Sequence, residues 1–168
     1  MKTLLTVIFS LFISFSAFAT NGEKQLAKDF TAPSLDGKTI NLKEQRGKVV
    51  VLTFWSTTCL ICTGELPKLS KVVNKYAGKD VVFIALSMEN EAKISNYLKK
   101  KPFNSIIIPN ALGIITDYSI HDANGNYNIG FPTFFVINQV GEIVMTASGR
   151  NKTNAIDSNI SRLLMNRQ

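Results

Sequence analysis

Cys59 and Cys62 stand three residues apart, separated by the apolar pair Leu60-Ile61, and the chain has no other cysteine. A thiolate attacks a disulfide sulfur readily, and two thiols this close can pass between bonded and free forms. As a staple the pair would achieve little, because a disulfide constrains the unfolded chain according to the loop it closes. A structural zinc site wants four ligands as a rule, and two cysteines with a single histidine, His121, do not supply them. The chemistry expected is therefore a redox-active disulfide that needs no separate cofactor or metal.

The flanking residues set where the sulfurs sit. Lys48 to Trp55 is a nearly unbroken apolar run rich in valine, the pattern of a central strand covered on both faces. After the cysteines, Leu66, Leu69, Val72, Val73 and Tyr76 recur at helical spacing, with Pro67 expected to kink that helix. The pair thus falls at a strand-to-helix junction. Unpaired N–H groups and the positive dipole end of a first helical turn favour thiolate over thiol. Cys59, at the helix start, is assigned as the attacking sulfur. Cys62, one turn further in, would resolve the mixed disulfide.

Elsewhere strands and helices alternate. Asp29–Pro33 reads as extended, Thr39–Leu42 as a short strand and Asp80–Ser87 as a second buried strand. Asn90 can cap a helix to about Lys101 with Ile94, Tyr97 and Leu98 inward. Ser105–Ile108 reads as a short strand, Leu112–Tyr118 as a short helix and the polar segment His121–Gly130 as a loop. Pro132–Asn138, a turn at Gln139-Val140-Gly141 and Glu142–Ala147 form a hairpin, and Lys152–Arg167 an amphipathic last helix. This is an α/β pattern: a mixed central sheet with helices on both faces, in one domain.

Residues 1–19 are set aside as a signal peptide. Lys2 gives a positive start, Leu4 to Phe15 is mostly apolar, and Ala17-Phe18-Ala19 reads as a small-x-small cleavage site. An uncleaved membrane anchor is the alternative, although a spanning helix wants roughly 20 apolar residues. Residues 20–28 read as a polar leader and 29–168 as the domain. Export to the periplasm or medium suits disulfide chemistry. The net charge of +7 comes from scattered residues whose one run, Lys99-Lys100-Lys101, suits a helix C-terminus. With no basic stripe or stacking motif, nucleic acid is not an expected partner.

Phe54-Trp55-Ser56-Thr57-Thr58-Cys59-Leu60-Ile61-Cys62, continuing through Glu65-Leu66-Pro67, resembles the active-site region of thioredoxin-like proteins of the TlpA/ResA type. Gly130-Phe131-Pro132-Thr133, Phe134 to Asn138 and Gly141 resemble that family's proline loop and closing hairpin, and Asp29-Phe30 with Asp36-Gly37 its N-terminal part. The resemblance spans about Asp29 to the C-terminus. It implies a thioredoxin-like fold and an extracytoplasmic thiol–disulfide oxidoreductase acting on exported cysteine-containing clients. The direction favoured is reduction, with apocytochrome c a candidate client.

By the same resemblance Pro132 would be cis and face the cysteines, leaving the backbone of Phe131 to pair with an extended substrate. Glu65 matches the family's acidic residue and would shuttle a proton or oppose thiolate formation; a dipole-stabilising surface glutamate is the plainer alternative. Trp55 matches the tryptophan beneath the site, counted with Phe131 and Pro132 on the substrate side but serving above all as a core aromatic. Three departures stand out. Thr53 replaces a buried aspartate or asparagine, Thr58 replaces a second tryptophan, and Leu60-Ile61 lacks the usual proline. Related folds span about −120 to −270 mV, so these changes leave the potential open. A membrane thiol reductant would recharge the pair, and a monomer is expected.

Two other functions are weighed. A copper-delivery protein would use Cys59, Cys62 and His121, although copper carriers of this fold usually space their cysteines one residue wider. A peroxiredoxin-like peroxidase would use Cys59 against peroxide. It expects a proline in the approach to that cysteine, and none lies between Lys48 and Cys59.

Overall fold

The computed structural model describes residues 25–121, 127–128 and 130–166. In chain order the first elements are β1 (Thr31–Pro33), β2 (Thr39–Asn41), β3 (Val49–Phe54), α1 (Leu60–Lys75), β4 (Val81–Leu86) and α2 (Glu91–Leu98). There follow β5 (Ile106–Ile108), α3 (Leu112–Asp117), β6 (Ile120–His121), β7 (Tyr127–Asn128), β8 (Thr133–Ile137), β9 (Ile143–Ser148) and α4 (Thr153–Met165). Five strands form one mixed sheet in the order β5-β4-β3-β8-β9. β3, β4 and β5 run parallel, and β8 is antiparallel to both β3 and β9. The fold is thioredoxin-like.

β3 explains the valine-rich run. All six of its residues are buried, and they alternate between two cores. Val49, Val51 and then Trp55 face α1, α2 and α4, where Leu66, Leu69, Ile94, Ile156 and Ile160 pack. Val50, Leu52 and Phe54 face the other way, toward Ala32, Ile40, Leu42, Ile115 and Phe135. A period of two with apolar residues on both faces requires cover on both. One face is covered by three helices, the other by α3 and the β1–β2 hairpin, which forms a separate small sheet. Full burial stabilises each such large side chain by roughly 1.5–3 kcal/mol relative to exposure.

Three expectations need amendment. His121–Gly130 is not all loop: Ile120 pairs with Asn128 and His121 with Tyr127 in a two-residue antiparallel hairpin. The apolar pattern of the sequence carries no trace of that pairing. The leader is not wholly separate either. Ala27 N–H donates to the Gly141 carbonyl at 2.9 Å and Ile143 N–H to the Gln25 carbonyl at 2.8 Å, so 25–27 dock on the β8–β9 turn. α2 stops at Leu98 rather than near Lys101, because the residue before Pro102 disfavours the helical region. Pro67 falls inside α1, on its exposed side, while Leu66, Leu69 and Val72 bury the other. The expected signal peptide, 1–19, lies outside the described residues. Among those described, no helix is long and apolar enough to cross a membrane.

Candidate active site

The chain leaves β3 through Trp55, turns over Ser56–Thr58, and enters α1 with Cys59 as its N-cap. Cys59 is extended (φ −77°, ψ 109°), and its Sγ accepts the backbone N–H of Cys62 at 3.0 Å. A serine or aspartate oxygen usually occupies that capping position. A sulfur placed there lies at the positive end of the helix, on an N–H that stabilises negative charge. Cys59 and Cys62 form a disulfide with Cα atoms 5.2 Å apart. The two sulfurs differ in access: Cys62 is fully buried and Cys59 half-buried, beside Leu60 at 81% exposed.

A second loop closes on the pair from far along the chain. The Phe131–Pro132 peptide is cis, and the Phe131 carbonyl oxygen lies 3.5 Å from Cys59 Sγ. Pro132 is buried and Phe131 half-buried, packed against both cores. The loop is pinned by Gly149 N–H donating to the Pro132 carbonyl at 2.9 Å, and by Thr133 Oγ1 sharing a 2.7 Å hydrogen bond with Ser148 Oγ.

The other expected residues are placed differently. Trp55 is 0% exposed, its ring 4.9 Å from that of Phe103 and 5.4 Å from that of Tyr97. It lies beneath the site and presents no surface to a client, so it belongs with the support and not with the substrate-facing residues. Its Nε1 is buried without a hydrogen-bond partner among the described residues. Glu65 is not a surface glutamate: it is 2% exposed. Oε1 pairs with Lys68 Nζ at 2.8 Å, and Oε2 accepts Asn151 N–H at 3.0 Å, so its carboxylate faces the β9–α4 connection. Thr53 is buried within β3. His121 contributes its backbone to the β6–β7 hairpin, and its side chain lies outside the described residues. Among the described residues no three His, Cys, Asp or Glu side chains converge as a metal site.

Sequence reading missed Glu89. Oε2 accepts Thr57 N–H at 2.7 Å, and Oε1 accepts Thr57 Oγ1 at 2.7 Å and Ser56 Oγ at 3.2 Å. Lys93 Nζ lies 2.6 Å from Oε1. Burial pushes the pKa of this carboxyl up, but the Lys93 ammonium and the Thr57 N–H and hydroxyl outweigh it, holding the group below its ordinary value. The acidic residue beside the capping Asn90 was the available signal, but its target lies 32 residues earlier.

The sulfur of a half-buried cysteine capping a helix, joined to a buried one a turn away, can accept a pair of electrons and give it back. With the opposing proline loop and this sheet order, that makes the protein a thiol–disulfide oxidoreductase of thioredoxin-like fold. A sequence model described as the AhpC/TSA family matches residues 24–146, and the chain belongs to that family. It is similar to the thiol-disulfide oxidoreductase ResA of Bacillus cereus, 30% identical over 161 residues that cover 92% of this chain and 87% of that one. A thioredoxin-family thiol:disulfide interchange protein from Chlorobium tepidum superposes with a TM-score of 0.71 at 22% identity, over 86% of this chain and 99% of that one. The exposed lipoprotein thioredoxin of Streptococcus pneumoniae gives a TM-score of 0.65 at 27% identity, over 81% of this chain and the whole of its own.

Proposed function

We propose that the protein works outside the cytoplasm, reducing disulfides in exported client proteins through Cys59 and Cys62. The observation that carries this reading is the unequal pair itself: a half-buried Cys59 whose sulfur sits on the Cys62 N–H, and a fully buried Cys62 behind it. In the reduced enzyme the Cys59 thiolate attacks one sulfur of a client disulfide. A Cys59–client bond forms, the client S–S bond breaks, and the client's other sulfur leaves as a thiolate. The Cys62 thiolate then attacks Cys59 Sγ and releases the second client sulfur, closing Cys59–Cys62. Two electrons have moved to the client, and an external thiol reductant, membrane-bound in this reading, must return them.

Export is supported by the apolar stretch and Ala17-Phe18-Ala19 site at the N-terminus. The relative from Streptococcus pneumoniae is likewise described as an exposed lipoprotein thioredoxin. Cytochrome c maturation, with apocytochrome c as client, rests on the resemblance to the TlpA/ResA type. Phe131, beside Cys59, would offer its backbone to an extended client. The copper reading would need His121 beside the reduced pair, and the side chain of His121 lies outside the described residues.

The test is capture. Cys62→Ser, exported in the native host, should accumulate mixed disulfides with client proteins, while Cys59→Ser should accumulate none and lose exchange. Efficient exchange by Cys59→Ser would end the reading. A measured potential as oxidising as about −120 mV would reverse its direction.

A further inference from the structure

Five donors converge on the two carboxylate oxygens of Glu89, from three segments of the chain. Thr57 brings its N–H and its hydroxyl, Ser56 its hydroxyl, Ser87 its hydroxyl at 3.3 Å and Lys93 its ammonium. The side chain is only 12% exposed. The residues it grips are the turn that delivers Cys59. Within that turn Thr58 N–H donates to Ser56 Oγ at 3.2 Å, Ser56 Oγ and Thr58 Oγ1 share a hydrogen bond of 2.9 Å, and Cys59 N–H donates to the Ser56 carbonyl at 3.2 Å. The turn is short, polar and partly exposed, and it lies outside the β3 ladder. Just before it, Trp55 N–H donates to the Leu86 carbonyl of a buried strand at 3.1 Å.

We infer that Glu89 is a positioning residue for the exchange reaction, holding the Ser56–Thr58 turn so that Cys59 Sγ stays on the Cys62 N–H. The inference rests on Cys59 being the attacking sulfur. The chemistry of the carboxylate explains why this residue type is needed. Only an ionised carboxylate offers acceptor capacity on both oxygens; an amide offers one oxygen and turns two donors toward the others. Glu89→Gln therefore leaves at least one donor of the turn unanswered, and charge-assisted bonds of this kind are the strong ones.

A direct electrostatic role makes the opposite prediction, which renders the two separable. If Glu89 acted by its charge on the sulfur, neutralising it would favour the Cys59 thiolate and lower that thiol's pKa. If it acts by position, neutralising it loosens the cap and raises that pKa. The experiment follows thiolate absorbance against pH in the reduced protein, with the attack rate on a small aromatic disulfide, for wild type, Glu89→Gln and Glu89→Asp. Glu89→Asp keeps the charge but withdraws the oxygens by one methylene.

We expect the Cys59 titration to move to higher pH in both variants. The neutral-pH attack rate should fall about tenfold in Glu89→Gln, in line with one charge-assisted hydrogen bond, and less in Glu89→Asp. An unmoved or lowered titration in a folded variant overturns the inference, whatever happens to its melting temperature. If Glu89→Gln does not fold, Glu89→Asp alone decides by the same readout. Cys59→Ser runs alongside. Should it still exchange disulfides, the attacking-sulfur reading fails; should it be inactive while both Glu89 variants match wild type, only the positioning role is lost.

Discussion

The sulfur of Cys59 lies 3.5 Å from the carbonyl oxygen of Phe131, a residue 72 positions further along the chain. That places the accessible sulfur at the backbone edge where an extended segment could pair, so a client's cysteine would arrive in line with it. The nearest exposed apolar side chain is Leu60, which supports no core.

Leu60→Lys should accordingly leave stability within about 0.5 kcal/mol, as surface substitutions generally do. Exchange with a protein client whose disulfide is flanked by apolar residues should slow several-fold, while reaction with a small disulfide should not. Parallel assays with both reductible partners check this, and equal slowing in the two would argue that Leu60 acts on the sulfurs instead of on recognition.

Glu65 joins α1 to the start of α4, through Lys68 and through the N–H of Asn151, whose φ is +59°. Asn151 Oδ1 also accepts from Lys68 Nζ at 3.2 Å. Replacing Glu65 by Ala removes the acceptor for a backbone N–H and opens space under the β9–α4 connection. A loss of about 1–3 kcal/mol is expected in urea unfolding of the oxidised protein. A change below a few tenths would show that the carboxylate is not structural.

Trp55 offers a cleaner contrast. Trp55→Ala should cost about 3–5 kcal/mol by creating a large cavity between Tyr97 and Phe103. Trp55→Phe keeps an aromatic ring there and deletes the unpartnered Nε1–H, so its cost should be well under half of that. Equal destabilisation by both would mean that the indole nitrogen is satisfied in solution.

Asp157 receives Lys75 Nζ at 2.7 Å and the Tyr76 hydroxyl at 2.6 Å, and these hold its pKa below the ordinary carboxylate value. The unfolded chain therefore takes up the proton first as pH falls. The stability this group contributes is complete above the unfolded value and disappears as pH drops through the folded one. Wild type should exceed Asp157→Asn in urea midpoint at neutral pH, and the gap should narrow toward about pH 3 and below. A gap independent of pH would assign the effect to packing.

The parts of this protein legible from sequence are those written in local periodicity. The alternation Val49-Val50-Val51-Leu52 announces a strand buried on both faces, and the three-residue spacing of Cys59 and Cys62 announces sulfurs that can meet. What escaped depends on polar contacts across the fold. Glu65 finds Asn151 86 residues away and Glu89 finds Thr57 32 residues away, and neither pairing leaves a mark in the residues near it. The pairing of β6 with β7 and the hydrogen bonds of residues 25–27 to the β8–β9 turn use backbone groups, which every residue carries alike.

The docking of Gln25–Ala27 also fixes the direction in which the molecule faces. β8 runs antiparallel to β3, with Thr133 opposite Phe54 beside the disulfide and Ile137 opposite Val50 at the far end. Gly141 and Glu142, on which the N-terminal segment rests, follow that far end. About 14–17 Å of strand separates the two poles. Gln25 thus enters the domain at the pole opposite Cys59, and the two ends of β8 divide the labour: one carries the chemistry and the other receives the chain.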